Sequence, residues 1–147
     1  MNNIDFDNRL YNALNKIYTF KQFNNADLCI VGSVALYLQG IKYNREIHDI
    51  DIKVLNDTKE HKIKYQKYFN ICKIKYEFKL DFLFIEYEDI IPEYYIIELN
   101  DIKVKVMDVK SCIKYKEKIL EIDNYQYKEK HINDLKYIYK NYEKLFS

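Results

Sequence analysis

Residues 31–54 read VGSVALYLQGIKYNREIHDIDIKV, and the order of apolar, glycine and acidic positions in this stretch decides the fold. The apolar residues 27–31 that lead into it suit a short buried strand. Gly32-Ser33 breaks that run, residues 34–39 resume with helix-compatible side chains, and Gly40 stands where a helix C-terminal glycine belongs. The chain has only two glycines, and they bracket this one short helix. A polar connection over residues 42–46 follows, and then IHDIDIKVL alternates as a strand does. Successive strand side chains leave opposite faces, so Asp49 and Asp51 project together. The same alternation assigns Ile47 to the acidic face and His48, Ile50 and Ile52 to the other.

Outward from this stretch, residues 5–23 place Phe6, Leu10, Leu14, Ile17 and Tyr18 at helical spacing. Asp57 or Thr58 can cap a helix running to about residue 69. Residues 74–85, which contain KLDFLFI, alternate as a strand, and Pro92 marks a turn or an edge. Two further strands, 95–99 and 102–107, flank Asn100-Asp101 as a two-residue hairpin turn. Helices over 109–120 and 127–146 complete the chain. This pattern predicts an α+β fold with a mixed sheet and a helical C-terminal part. It reads as a single domain over 1–147, with an α/β core to about 107 and helices from about 108.

Composition limits the functions open to such a domain. The 147 residues are 48% hydrophobic and 32% charged, an ordinary globular balance. No apolar run approaches the ~20 residues that span a bilayer. The opening MNNIDFDNRL has acidic residues and no apolar core of a signal peptide, so a cytoplasmic protein is expected, with no membrane partner. Cys29, Cys72 and Cys112 are widely spaced and without a CxxC pair, and they read as buried thiols. A net charge of +1 supplies no global basic field for nucleic acid. The arginines are Arg9 and Arg45 alone among many lysines and tyrosines, a bias that reads as genomic.

Two carboxylates held on one strand face repel each other and need a cation, a proton or full solvation. Hard oxygen ligands favour Mg²⁺ or Mn²⁺, and Mg²⁺ is commonly held by one or two carboxylates plus substrate phosphates. Gly32 admits close backbone approach, and Ser33 either donates to a phosphate oxygen or simply caps the helix. Taken alone, Asp81 is a solvated strand residue, Lys116 an exposed helix lysine, and Lys130–Asp134 an ordinary i,i+4 ion pair. His48 and the tyrosine-rich last helix (Tyr127, Tyr137, Ile138, Tyr142) read as structural.

Residues 31–54 resemble the signature of the DNA polymerase β-like nucleotidyltransferase superfamily, in which Gly-Ser or Gly-Gly, a short helix and Asp-x-Asp on the next strand follow in that order. Asp81 in KLDFL matches the third acid that the family carries on a later strand. More loosely, Lys116 matches a phosphate-facing helix lysine, and residues 130–134, KHIND, resemble the Lys-Asp-x-x-Asp motif of small bacterial minimal and abortive-infection members. Two departures stand out: of the family's Arg-x-Thr or Arg-Thr shortly before the acidic pair Arg45 remains while Ile47-His48 fills the rest, and His131 replaces the first acid of the C-terminal motif. The resemblance implies a nucleotidyltransferase-like sheet flanked by helices. It implies that Asp49, Asp51 and Asp81 are catalytic and hold Mg²⁺, and that Gly32, Ser33 and Lys116 bind the nucleotide. It implies transfer of a nucleoside monophosphate from a triphosphate, ATP among them, to a hydroxyl acceptor with release of pyrophosphate. The acceptor stays open between a protein, an RNA 3′ end such as tRNA, and a small molecule. A toxin–antitoxin or phage-defence setting, with a cognate antitoxin or toxin as partner, is implied likewise. The competing expectation is an inactive module of the same fold that binds a nucleotide or a partner protein.

Overall fold

Side-chain spacing dictates the first element. In the computed structural model, which describes residues 3–20, 25–43, 45–57, 59–61, 65, 73, 75–84, 93–121 and 128–143, helix α1 runs Asn3–Thr19. Phe6, Leu10, Ala13, Leu14 and Ile17 fall three or four apart, with neither Gly nor Pro among them, and all five are buried. Burying each Leu or Ile contributes roughly 1.5–3 kcal/mol.

Strand β1 (Leu28–Val31) is buried along its whole length and leads without a loop into α2 (Gly32–Leu38). Gln39 is the C-cap of α2, and Gly40 follows with a φ of +99°. Strand β2 (Asp49–Val54) then runs antiparallel to β1, and β3 (Lys79–Phe84) runs parallel to β2. Strands β4 (Tyr94–Leu99) and β5 (Ile102–Met107) form the hairpin, with Asn100 in the left-handed region that Asn tolerates. Helix α3 (Val109–Ile119) begins at Asp108, whose side chain accepts from the Ser111 N–H, and α4 (Lys128–Asn141) follows. The five strands lie in the order β3-β2-β1-β5-β4, a mixed sheet, so the fold is α+β. Ile50, Ile52 and Val54 are fully buried on one face of β2, in the core that α1 joins. Asp49, Asp51 and Lys53 leave the other face, where α3 and α4 stand over the sheet.

Three sequence expectations are corrected. Strand β3 begins only at Lys79: Lys75 and Tyr76 are helical, and Glu77 closes that turn with a φ of +61° before Phe78 is buried. Alternation does not reach back before Asp49. Ile47 is buried and lines an acidic cleft with Asp49 and Asp51, but His48 is exposed rather than packed with Ile50 and Ile52. The helix expected from residue 57 or 58 opens instead with a short 3₁₀ turn, Lys59–His61, while Tyr65 is helical, and Asp57 binds the side chains of His61 and Tyr65. Most of the helix expected to reach residue 69 lies outside the described residues, as do Cys72, Pro92 and Tyr127. Cys29 and Cys112 are buried free thiols, and burial pushes both up to about 12. No described helix is long and apolar enough to cross a membrane.

Gly32 is where the backbone leaves no choice. Its φ is +67°, and a Cβ there would stand 2.6 Å from Asp51 Oδ2. Gly32→Ala is expected to cost at least ~2 kcal/mol, from left-handed backbone strain and the contact with the carboxylate. In an Asp51→Ala background the same change should cost at least ~1 kcal/mol less. Urea midpoints of the four proteins measure that coupling, and equal costs in both backgrounds would show that the contact carries no energy.

Candidate active site

The parallel register of β2 and β3 sets Asp51 directly beside Asp81, and Asp49 beside Lys79. In-register residues of neighbouring strands point to the same face about 4.8 Å apart, so the two carboxylates share one side of the sheet. On its other flank Asp51 pairs with Val31 of β1, which brings its carboxylate against Gly32. Burial first, then the charges of Asp81 and Asp49, push the Asp51 carboxyl up to about 6; Lys116 and Lys130 pull the other way. Asp81 is 38% exposed, with Lys79 Nζ 3.7 Å from its Oδ1.

Two cavities meet at this point. The larger, about 340 Å³, lies between the sheet and α3 and is lined by Gly32, Ser33, Asp51 and Lys116 among others. The smaller, about 280 Å³, is lined by Ser33, Arg45, Asp49, Asp51 and Lys130. Ser33, Asp51 and Lys130 belong to both. The structure thus collects five of the six sequence-predicted residues around one junction. It sets the sixth, Asp81, beside Asp51 without lining either cavity. Ser33 is not the N-cap of α2; Val31 is, with no side-chain cap, and the Ser33 hydroxyl accepts from Arg45 Nη2 at 3.2 Å. Helix α2 has only seven residues, so nearby cations carry most of the local positive field.

Lys116 is not an exposed helix lysine: it is 4% exposed. Nor does Asp134 serve as the i,i+4 partner of Lys130. Its carboxylate is buried and takes two bonds from Arg45, Nε at 2.9 Å and Nη2 at 2.8 Å, and one from Lys116 Nζ at 3.2 Å. Burial pushes Asp134 up, but the Arg45 bonds and the Lys116 charge outweigh it and hold the carboxyl below its ordinary value. For Lys116, burial wins over Asp134 and lowers its affinity for a proton. Lys116 Nζ also lies 3.3 Å from His131 Nδ1. Burial and that ammonium push His131 down to about 4, so the imidazole is neutral and accepts. Tyr137 and Tyr142 pack against the core, and Ile138 is fully buried, so this face of α4 is structural.

Two cavity residues were missed in the sequence. Lys53 follows Asp51 by two and stands on the acidic face, which the alternation of HDIDIKV encodes. Tyr115 precedes Lys116 on α3, and nothing in its spacing separates it from a core tyrosine.

The donor set fits a hard divalent cation. Asp51 and Asp81 present carboxylate oxygens from neighbouring in-register positions, and Asp51 is held in a state that positive charge relieves. Among the described residues no three His, Cys, Asp or Glu stand close enough to enclose a metal by themselves. Mg²⁺ commonly takes one or two carboxylates and completes its shell with substrate oxygens and water. Comparison with protein families, with characterised proteins and with solved structures finds no match to this chain.

Removing Asp134 should leave Arg45 and Lys116 without their shared counter-charge. Asp134→Ala is expected to cost ~3–5 kcal/mol, and adding Lys116→Met should return part of it. Chemical unfolding of both variants decides this, and a loss under ~1 kcal/mol would remove the network from the list of supports. The pH dependence has a definite sign. The His131 pKa is depressed from 6.5 to about 4 in the folded chain, so its contribution is present above pH 6.5 and is lost as pH falls towards 4. The stability difference between wild type and His131→Asn should therefore shrink by ~1–2 kcal/mol from pH 7 to 4, allowing for screening of a partly exposed ring.

Proposed function

We propose that this chain is a divalent-metal-dependent nucleotidyltransferase that joins a nucleoside monophosphate from a nucleoside triphosphate to a hydroxyl acceptor. The observation that carries the reading is the setting of Asp51. It is in register with Asp81, against a glycine that admits no Cβ, at the meeting of two cavities and under the charges of Lys116 and Lys130. The resemblance of residues 31–81 to the nucleotidyltransferase pattern supports it independently.

Asp49, Asp51 and Asp81 would hold Mg²⁺ or Mn²⁺, which when bound supplies positive charge to the phosphates. Lys116 and Lys130 bring further positive charge to the same junction, and Asp134 fixes the first of them. Ser33, already oriented by Arg45, stands where a phosphate oxygen would enter. Asp81, a partly exposed carboxylate beside Asp51, would accept the proton of the attacking hydroxyl. The acceptor oxygen then bonds to the α-phosphorus, the bond to the bridging oxygen breaks, and pyrophosphate leaves with its charge met by Lys116. The acceptor is a protein hydroxyl, an RNA 3′ end or a hydroxylated small molecule. The second reading, a module that binds a nucleotide and transfers nothing, is favoured by the position of Asp81 outside the lining of both cavities.

Asp49→Asn with Asp51→Asn keeps shape and removes two charges. Incubation with radiolabelled triphosphates, Mg²⁺ and total RNA or cell lysate should label an acceptor with wild type, at a rate at least ~10²-fold above the double variant. Without metal the double variant should be as stable as wild type or more so, because repelling carboxylates are gone. A folded double variant that labels as fast as wild type refutes the catalytic reading. Metal-dependent binding without labelling of any acceptor supports the binding module.

A further inference from the structure

The larger cavity carries a second polar pair, away from the acids. Lys53 lies two residues beyond Asp51 on β2 and leaves the same face, about 6.6 Å further along the strand. Its Nζ donates to the Tyr115 hydroxyl at 3.3 Å and stands 5.2 Å from the centre of that ring. Both side chains line the cavity, whose neighbouring walls are Val31, Leu83, Met107 and Ile119. Leu83 is the in-register partner of Lys53 on β3, and although large and apolar it is 48% exposed. A flat ring resting on it would cover that surface.

The hydrogen-bonding sense of the pair is fixed at the lysine. An ammonium can only donate. The Tyr115 oxygen accepts from it with one lone pair, which leaves the hydroxyl hydrogen to be donated to a ligand, so the lysine is the strict donor of the pair and the tyrosine the adaptable one. A donor pair set in an apolar wall recognises a planar group that carries acceptors at its edge. At about 340 Å³ the cavity is of the size that small ligands occupy. A triphosphate anchored at the Asp51 junction has two directions for its nucleoside, and the apolar one leads to Lys53 and Tyr115.

We infer that Lys53 and Tyr115 select the base of the triphosphate, admitting guanine, hypoxanthine or uracil, which carry a carbonyl where adenine and cytosine carry an amino group. This rests on the nucleotide-binding reading above. Guanine offers O6 and N7 and uracil O4, all acceptors, to the two donors; adenine N6 and cytosine N4 turn N–H groups towards them. Donor against donor leaves buried polar groups unmatched, which penalises the amino bases as much as matching favours the keto bases.

Inosine and adenosine triphosphates isolate the effect, since they differ only in the amino-to-carbonyl exchange at the purine 6-position and the ring proton that accompanies it. Titration calorimetry with Mg²⁺ and ITP, GTP, UTP, ATP and CTP should show the three keto nucleotides binding at least ~10-fold more tightly than ATP and CTP. In Lys53→Met, which keeps chain length without the ammonium, the ITP-to-ATP ratio should fall to about one. Tyr115→Phe keeps the ring and loses the hydroxyl; it should lower the ratio part of the way, and it serves where Lys53→Met does not fold. ATP binding as tightly as ITP to wild type overturns base selection while the nucleotide site stands. So does an ITP-to-ATP ratio that neither variant moves. If none of the five nucleotides binds, both this inference and the nucleotide reading fall.

Discussion

Asp51 and Asp81 are forced together by the register of two parallel strands, and neither can retreat without breaking the ladder that holds them. At neutral pH an Asp51 whose pKa is about 6 must ionise beside its neighbours, at a cost on the order of 3 kcal/mol relative to an ordinary carboxyl. That cost is what remains after Lys116 and Lys130 have pulled the other way. Gly32 yields the space a side chain would take, and Lys116 and Lys130 lend opposite charge. The apolar face of the same strand, Ile50, Ile52 and Val54, anchors β2 in the core so that the opposite face can stay strained.

The cations need holding as well as supplying. A buried lysine beside an arginine is unstable unless a counter-charge stands between them, and Asp134 fills that place with three hydrogen bonds. This ties α4 to α3 and to the segment before β2. The arginine in turn orients Ser33. Position at the site is thus transmitted from the last helix through Asp134 and Arg45 to the first residues of α2, each link a charged or hydroxyl contact of fixed geometry.

What was legible in the residues follows from what repeats within one element. Period-two alternation in DIDIK and KLDFLF set Asp49, Asp51 and Asp81 on strands, and helical spacing found α1. Alternation misled at residues 75–78, because an apolar residue every second position also suits a helical turn that ends in a left-handed residue such as Glu77. It misled at His48 because regular strand begins only at Asp49. Lys116 was picked by resemblance alone, since in a lysine-rich chain its burial depends on α4 lying across it. Arg45 and Asp134 are 89 residues apart, and no spacing rule joins them.

That separation also orders events in time. A chain made from its N-terminus exposes Gly32, Asp49, Asp51 and Asp81 to the cell well before α4 exists. The hairpin of β4 and β5 closes locally, but the bidentate clasp on Arg45 waits for residue 134 to emerge. Until then Arg45 has no buried acid to hold it and Lys116 no reason to turn inward. The nascent protein therefore carries Asp49, Asp51 and Asp81 before the clasp that fixes Arg45 and Lys116 can close, and that clasp waits on residue 134.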